Sequence, residues 1–359
     1  MMLLPLPQAL ADARALLATR DPRGAVALLA PHMSPAQAQK ATIDDLVLLQ
    51  TLAEAHLDAS GAPPAENDDE GGMTEDEFDD QMHAQIAYEL FLRAAQVDDK
   101  AGSKGGYEKF LWLGQLSGGQ DAVKWFRVGC DALRTRITRA AEKPGNEDEV
   151  RMLRRKLCDA LCSTVEIWMT DLCMEPEAEV TCEKLVAEAL MVDDTHSESH
   201  ATLASVRISQ QRLADARIAV QRAWELYCDA YPDTDATPEE QVAQLGALKT
   251  LARLGLETEH SELAADASRR MLALDEDIAE AWYLLGLAQN SAGIDAAAES
   301  FQQALELLEA AAGEDEDAAE MLADVRQRLA GVCTEGGGGV DGMEEDDEDA
   351  WLDEIEEEE

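Results

Sequence analysis

Residues 279–298 read AEAWYLLGLAQNSAGIDAAA, and their spacing decides the fold. Trp282, Leu285 and Gly286 fall at i, i+3 and i+4, the spacing of one face of an α-helix. Gly293 then marks a turn, where a residue without a Cβ reverses the chain at little steric cost. Ala298 opens a second helix with a residue small enough to let the two helices approach closely. Stepping back 34 residues brings Leu251 and Ala252 to the positions of Leu285 and Gly286, with Ala264 and Leu272 in the second helix.

A fixed period of 34 residues with this pattern is that of the tetratricopeptide repeat, a helix–turn–helix unit. Two further units, 163–196 and 197–230, keep the spacing: Thr170 aligns with Ala204, Cys182 with Ala216, Val186 with Val220 and Ala189 with Ala223. The residues between, Tyr231 to Gln244, carry Pro232 and Pro238 and read as an extended connection. Upstream, Ala87-x-x-x-Phe91-x-x-Ala94 and Ala122-x-x-x-Phe126-x-x-Gly129 repeat the second-helix pattern, with first helices over Thr42–Ser60 and Tyr107–Leu116. Leu6–Leu29 reads as another helix pair, its second member starting at Asp21-Pro22. Beyond Glu314, Met321, Leu322, Val325 and Leu329 form the apolar stripe of a capping helix.

One helix pair cannot bury its apolar face alone, so such units stack on a shared core and form a groove. The expected fold is therefore all-α: a right-handed superhelical tetratricopeptide-repeat solenoid. Its N-terminal helices occupy 1–60 and its main body, with the capping helix, 81–333. Two segments depart from the pattern. Residues 61–80 hold nine acidic and no basic residues, and 334–359 hold fourteen acidic and no basic ones. Their composition predicts a disordered insertion and a disordered tail.

The formal net charge is −46 over 359 residues. Such a chain repels nucleic-acid phosphates and anionic lipid headgroups and attracts polycations, so the expected partner is basic and direct nucleic-acid binding is not expected. No apolar run approaches the ~20 residues of a membrane-spanning helix. The stretch Met1–Leu17 lacks an early positive region, so no secretory signal is expected. Seven cysteines, with no C-x-x-C pair, read as reduced thiols. The expected location is cytoplasm and nucleus.

No arrangement of residues specifies catalysis, and the chain reads as a non-enzyme without cofactor. His196 and His200 share a helix face, but Ser197-Glu198-Ser199 between them lacks the metalloprotease pattern and no third ligand is marked, so no metal is expected. Cys158 and Cys162 also share a face and read as small core residues. Gly102-Ser103-Lys104-Gly105-Gly106 lacks phosphate-loop spacing and reads as a loop. One basic cluster stands out: Arg134, Arg136, Arg139, Lys143, Arg151, Arg154, Arg155 and Lys156. It reads as a solvated helix pair, or as a place where an acidic arm docks.

Three stretches go beyond a general repeat. They are Tyr107–Gly119 (YEKFLWLGQLSGG) with Asp121–Trp125, Met169–Glu179 (MTDLCMEPEAE) and Leu203–Arg212 (LASVRISQQR). They resemble the eukaryotic assembly chaperones of ribosomal protein L4, over about residues 80–330 and including the acidic tail. The resemblance implies a dedicated chaperone that holds the basic internal loop of newly made ribosomal protein L4 and keeps it soluble. It also implies delivery to large-subunit precursors, and a monomer with one client is expected. The repeat family implies that first helices line the groove, which selects Glu54 and Asp58, Glu108, Asp171 and Glu175, Glu198, and Glu280 with Tyr283 and Asn290. Two other readings stand beside this one. A co-chaperone of the Hsp90 or Hsp70 type needs Lys, Asn and Arg in the groove, and only one unit offers them, as Lys249 and Arg253, so its carboxylate clamp is poorly formed; a histone or polycation chaperone needs only the acidic arms.

Overall fold

A computed structural model describes residues 4–60, 75–98, 106–232, 238–294, 296–310 and 316–335. Every regular element among them is helical. The chain divides into two compact units, Met1–Pro232 and Asp233–Glu359.

The first unit opens with α1 (Leu6–Ala18) and α2 (Pro22–Leu29). Asp21 caps α2, its carboxylate accepting the Gly24 N–H at 2.9 Å, and Pro22 supplies a first residue that needs no hydrogen-bond acceptor. A single turn, α3 (Pro35–Ala38), leads to α4 (Leu46–Ala59), which packs on α5 (Glu75–Val97). Next come α6 (Glu108–Gln115) on α7 (Gly119–Ala141), α8 (Glu147–Met169) on α9 (Ala178–Val192), and α10 (Ser197–Ser209) on α11 (Leu213–Ala230). The second unit pairs α12 (Pro238–Glu257) with α13 (Ser261–Leu274) and α14 (Ala279–Ser291) with α15 (Ala297–Ala310). Its last helix, α16 (Glu316–Glu335), packs on α15 through Met321, Leu322, Val325 and Leu329, the stripe expected of the cap.

The repeat rests on two local devices. A Cβ on Gly286 would lie 2.7 Å from the Phe301 ring, and one on Gly114 would lie 2.6 Å from the Phe126 ring. Glycine lets a buried phenylalanine of the second helix sit against the first helix in both units. The second device is the turn. Arg20, Gln211, Glu259 and Gly293 all have φ between 56° and 68°, and the N–H of the following residue bonds back to the carbonyl five residues earlier. This closure satisfies the last carbonyls of the first helix.

Three expectations are corrected. Residues 75–80, placed in the disordered insertion by composition, form the first turns of α5, while 61–74 lie outside the described residues. The connection expected to run to Gln244 ends at Pro238, where α12 begins, because proline is well accommodated in a helix's first turn. The 34-residue register starts a unit at 163, but α8 begins at Glu147 and ends at Met169. The loop Gly102–Gly106 and the C-terminal tail fall largely outside the described residues.

Cys158, Cys162 and Cys182 are core residues, as expected, whereas Cys173 is exposed and Cys228 half-buried. Cys130, Cys158, Cys162 and Cys182 are buried, and burial pushes the thiols of Cys130, Cys158 and Cys162 up to about 12.

Candidate functional site

Carboxylates on successive first helices of the first unit stand against one another. Glu54 on α4 is half-buried, and its pKa lies above the usual carboxylate value, first through burial and then through the negative charges of Glu108 on α6 and Asp58. Arg14 of α1 acts in the opposite direction. The side chain of Asp58 reaches solvent, yet surrounding protein still raises its pKa by desolvation. Glu54, Asp58 and Glu108, three of the residues selected from sequence, thus form one group.

A second group joins α8 to α10. Glu198 has its pKa raised by desolvation, then by the charges of Asp159 and Glu166, while His196 acts to lower it. Desolvation likewise raises Glu166. Both side chains are open to water on one side. Protein on the other side strips part of their hydration, and like charges face them across the helix pair. Each group carries an electrostatic cost that a bound cation relieves.

His196 has a defined place here. Its Nε2 lies 3.0 Å from Asp159 Oδ1, and its Nδ1 accepts the Ser199 N–H at 3.3 Å, capping α10. Asp159, His196 and Glu198 bring ligand atoms within 4.8 Å of one another, so among the described residues they are the group that could hold a metal ion. His200, which shares a helix face with His196, stands apart from this group, its Nε2 contacting the Asp194 carbonyl at 3.0 Å.

The other selected residues belong to neither group. Asp171 and Glu175 lie in the turn between α8 and α9, and not on a first helix, because α8 ends at Met169. The Asp171 carboxylate accepts the Gly119 N–H at 2.7 Å and so holds the start of α7. Glu280 is neutralised by Lys249 at 2.7 Å and Arg253 at 2.6 Å. The two cations available for a carboxylate clamp are therefore occupied by this ion pair. Tyr283 donates to Asp324 of α16 and packs beside Phe301, which makes it part of the cap's seat. Asn290 is exposed near the end of α14.

Asp159 and Glu166 were missed from sequence. They stand seven residues apart, two turns along one face of α8, a signal hidden once the unit was started at 163.

No family model matches the chain. A Schizosaccharomyces pombe protein described as a probable assembly chaperone of rpl4 is 33% identical over 213 residues, covering 57% of this chain and 60% of that protein. An Emericella nidulans protein of the same description is 35% identical over 208 residues, covering 56% of this chain and 49% of that protein. The solved structure of an assembly chaperone of RpL4, residues 1–338, superposes with a TM-score of 0.64 at 28% identity, covering 81% of this chain and 97% of that one. The chain is similar to the assembly chaperones of rpl4. It spans between about half and three-fifths of the length of these two curated relatives. The shared fold with the solved chaperone is the all-helical repeat described above.

Proposed function

We propose that this protein is a ribosome-assembly chaperone that holds newly made ribosomal protein L4 through its basic internal loop. The observation that carries the reading is the pair of carboxylate groups on the first helices, Glu54–Asp58–Glu108 and Asp159–Glu166–Glu198, in which burial and then like charge raise the pKa values of Glu54 and Glu198. Lysine and arginine side chains of the loop stabilise these carboxylates in their charged form. The carboxylates stand in for the rRNA phosphates that later neutralise the loop, so competition from rRNA releases the client to a large-subunit precursor. The similarity to assembly chaperones of rpl4 supports the choice of client. The protein acts by binding alone, with one client per chain, in cytoplasm and nucleus.

A co-chaperone of the Hsp90 or Hsp70 type is disfavoured because Lys249 and Arg253 are paired with Glu280. Affinity purification of the newly synthesised pool tests the proposal. Ribosomal protein L4 is expected as the stoichiometric basic partner, and histones or Hsp90 in its place contradict it.

A further inference from the structure

Asp159, His196 and Glu198 come together from two helices of the first unit. Asp159 lies on α8, His196 is the residue that caps α10, and Glu198 stands in the first turn of α10. His196 Nε2 is 3.0 Å from Asp159 Oδ1, and the ligand atoms of all three residues lie within 4.8 Å of one another. Ligands of a tetrahedral zinc ion, with bonds of about 2.0–2.1 Å, stand about 3.3 Å apart. Asp159 and His196 are half-buried and already in contact, whereas Glu198 is exposed, so rotation of its side chain can close the remaining distance.

The residues behind the histidine fit the same chemistry. His196 Nδ1 lies 2.9 Å from Oγ of Ser199, a residue with no exposed surface. A histidine that binds a metal through Nε2 carries its proton on Nδ1 and donates it to a fixed acceptor. Ser199 Oγ can be that acceptor. Binding then moves the ring proton from Nε2, where it faces Asp159, to Nδ1, and gives up the longer 3.3 Å bond from the Ser199 N–H. Cys162 Sγ lies 3.6 Å beyond Ser199 Oγ, but burial pushes this thiol up to about 12, so no thiolate enters the site. The negative charges of Asp159 and Glu166 around Glu198 favour a cation there.

We propose that Asp159, His196 and Glu198 bind a divalent transition-metal ion of the zinc type, with solvent in the open position. One imidazole and two carboxylates select such an ion over Mg²⁺ and Ca²⁺, which take oxygen ligands. The site goes beyond the client reading: it shares Asp159 and Glu198 with the groove but needs no client.

The test titrates the full-length protein with Co²⁺, a spectroscopic substitute for zinc, in excess Mg²⁺, which fills sites made of oxygen alone. One Co²⁺ per chain is expected, with visible absorption but no thiolate charge-transfer band. His196→Asn keeps a favoured capping residue and is expected to weaken binding by at least about tenfold. The exposed Glu198→Gln is expected to weaken it too, while His200→Asn leaves it unchanged. Absence of Co²⁺ binding, a thiolate band, or equal affinity in the parent protein, His196→Asn and Glu198→Gln overturns the proposal.

Discussion

The Asp171 carboxylate accepts the Gly119 N–H at 2.7 Å, joining the α8–α9 turn to the start of α7 across 52 residues of chain. It occupies the position of a helix cap, where a carboxylate also meets the positive end of the helix dipole. Asp171→Ala is expected to lower stability by about 1 kcal/mol. Thermal denaturation measures this, and affinity for a basic peptide is expected to stay unchanged. A large loss of affinity at full stability would return Asp171 to the binding face.

Lys109 Nζ lies 2.9 Å from Asp98 Oδ2, with side chains 0% and 1% exposed. Lys109 also donates to the Gly106 carbonyl at 2.7 Å. Removing one member strands the other charge away from water, so Asp98→Ala is expected to cost about 3–5 kcal/mol. Chemical denaturation checks the value; a loss below about 1 kcal/mol contradicts a tightly held buried pair.

His56 Nδ1 lies 2.8 Å from His83 Nδ1 between α4 and α5, and burial followed by the neighbouring imidazole lowers the His56 pKa from 6.5 to about 4. A neutral imidazole in the folded state and a protonated one in the unfolded state make folding lose stability as pH falls from 6.5 towards 4. The loss reaches up to about 3 kcal/mol. His56→Phe is expected to flatten this part of the stability profile, measured by denaturation at several pH values.

Gly286 faces the Phe301 ring, where an added Cβ would lie at 2.7 Å. Gly286→Ala is expected to destabilise the second unit by about 1–3 kcal/mol through overpacking. Gly286→Ala combined with Phe301→Leu is expected to recover part of it, as followed by thermal denaturation.

Much of the fold is legible in the sequence because Trp282-x-x-Leu285-Gly286 and its counterparts report the packing that defines the repeat. The turns are less so: only Gly293 announces the left-handed residue, while Arg20, Gln211 and Glu259 adopt it without a compositional mark. Asp171 and Glu175 were misplaced because a fixed period cannot register α8, which is 23 residues long and starts well before 163. Glu54, Asp58 and Glu108 lie on the first helices the sequence assigns them to, since α4 and α6 follow the predicted bounds closely. Glu280 shows the remaining difficulty. A first-helix carboxylate looks the same in sequence whether it awaits a partner or already holds Lys249 and Arg253.

The central claim is that the carboxylates of α4 and α10 face a cationic client at a cost to the free protein. Glu54 and Glu198 both have raised pKa values through desolvation and like charge, so neutralising them relieves repulsion. The direct measurement is a titration of Glu54→Gln with Glu198→Gln against the basic loop of ribosomal protein L4, alongside thermal denaturation of the free protein. Affinity is expected to fall about tenfold, equivalent to about 1.4 kcal/mol, while stability stays level or rises. Unchanged affinity, or a loss of affinity explained by a loss of stability, contradicts the account.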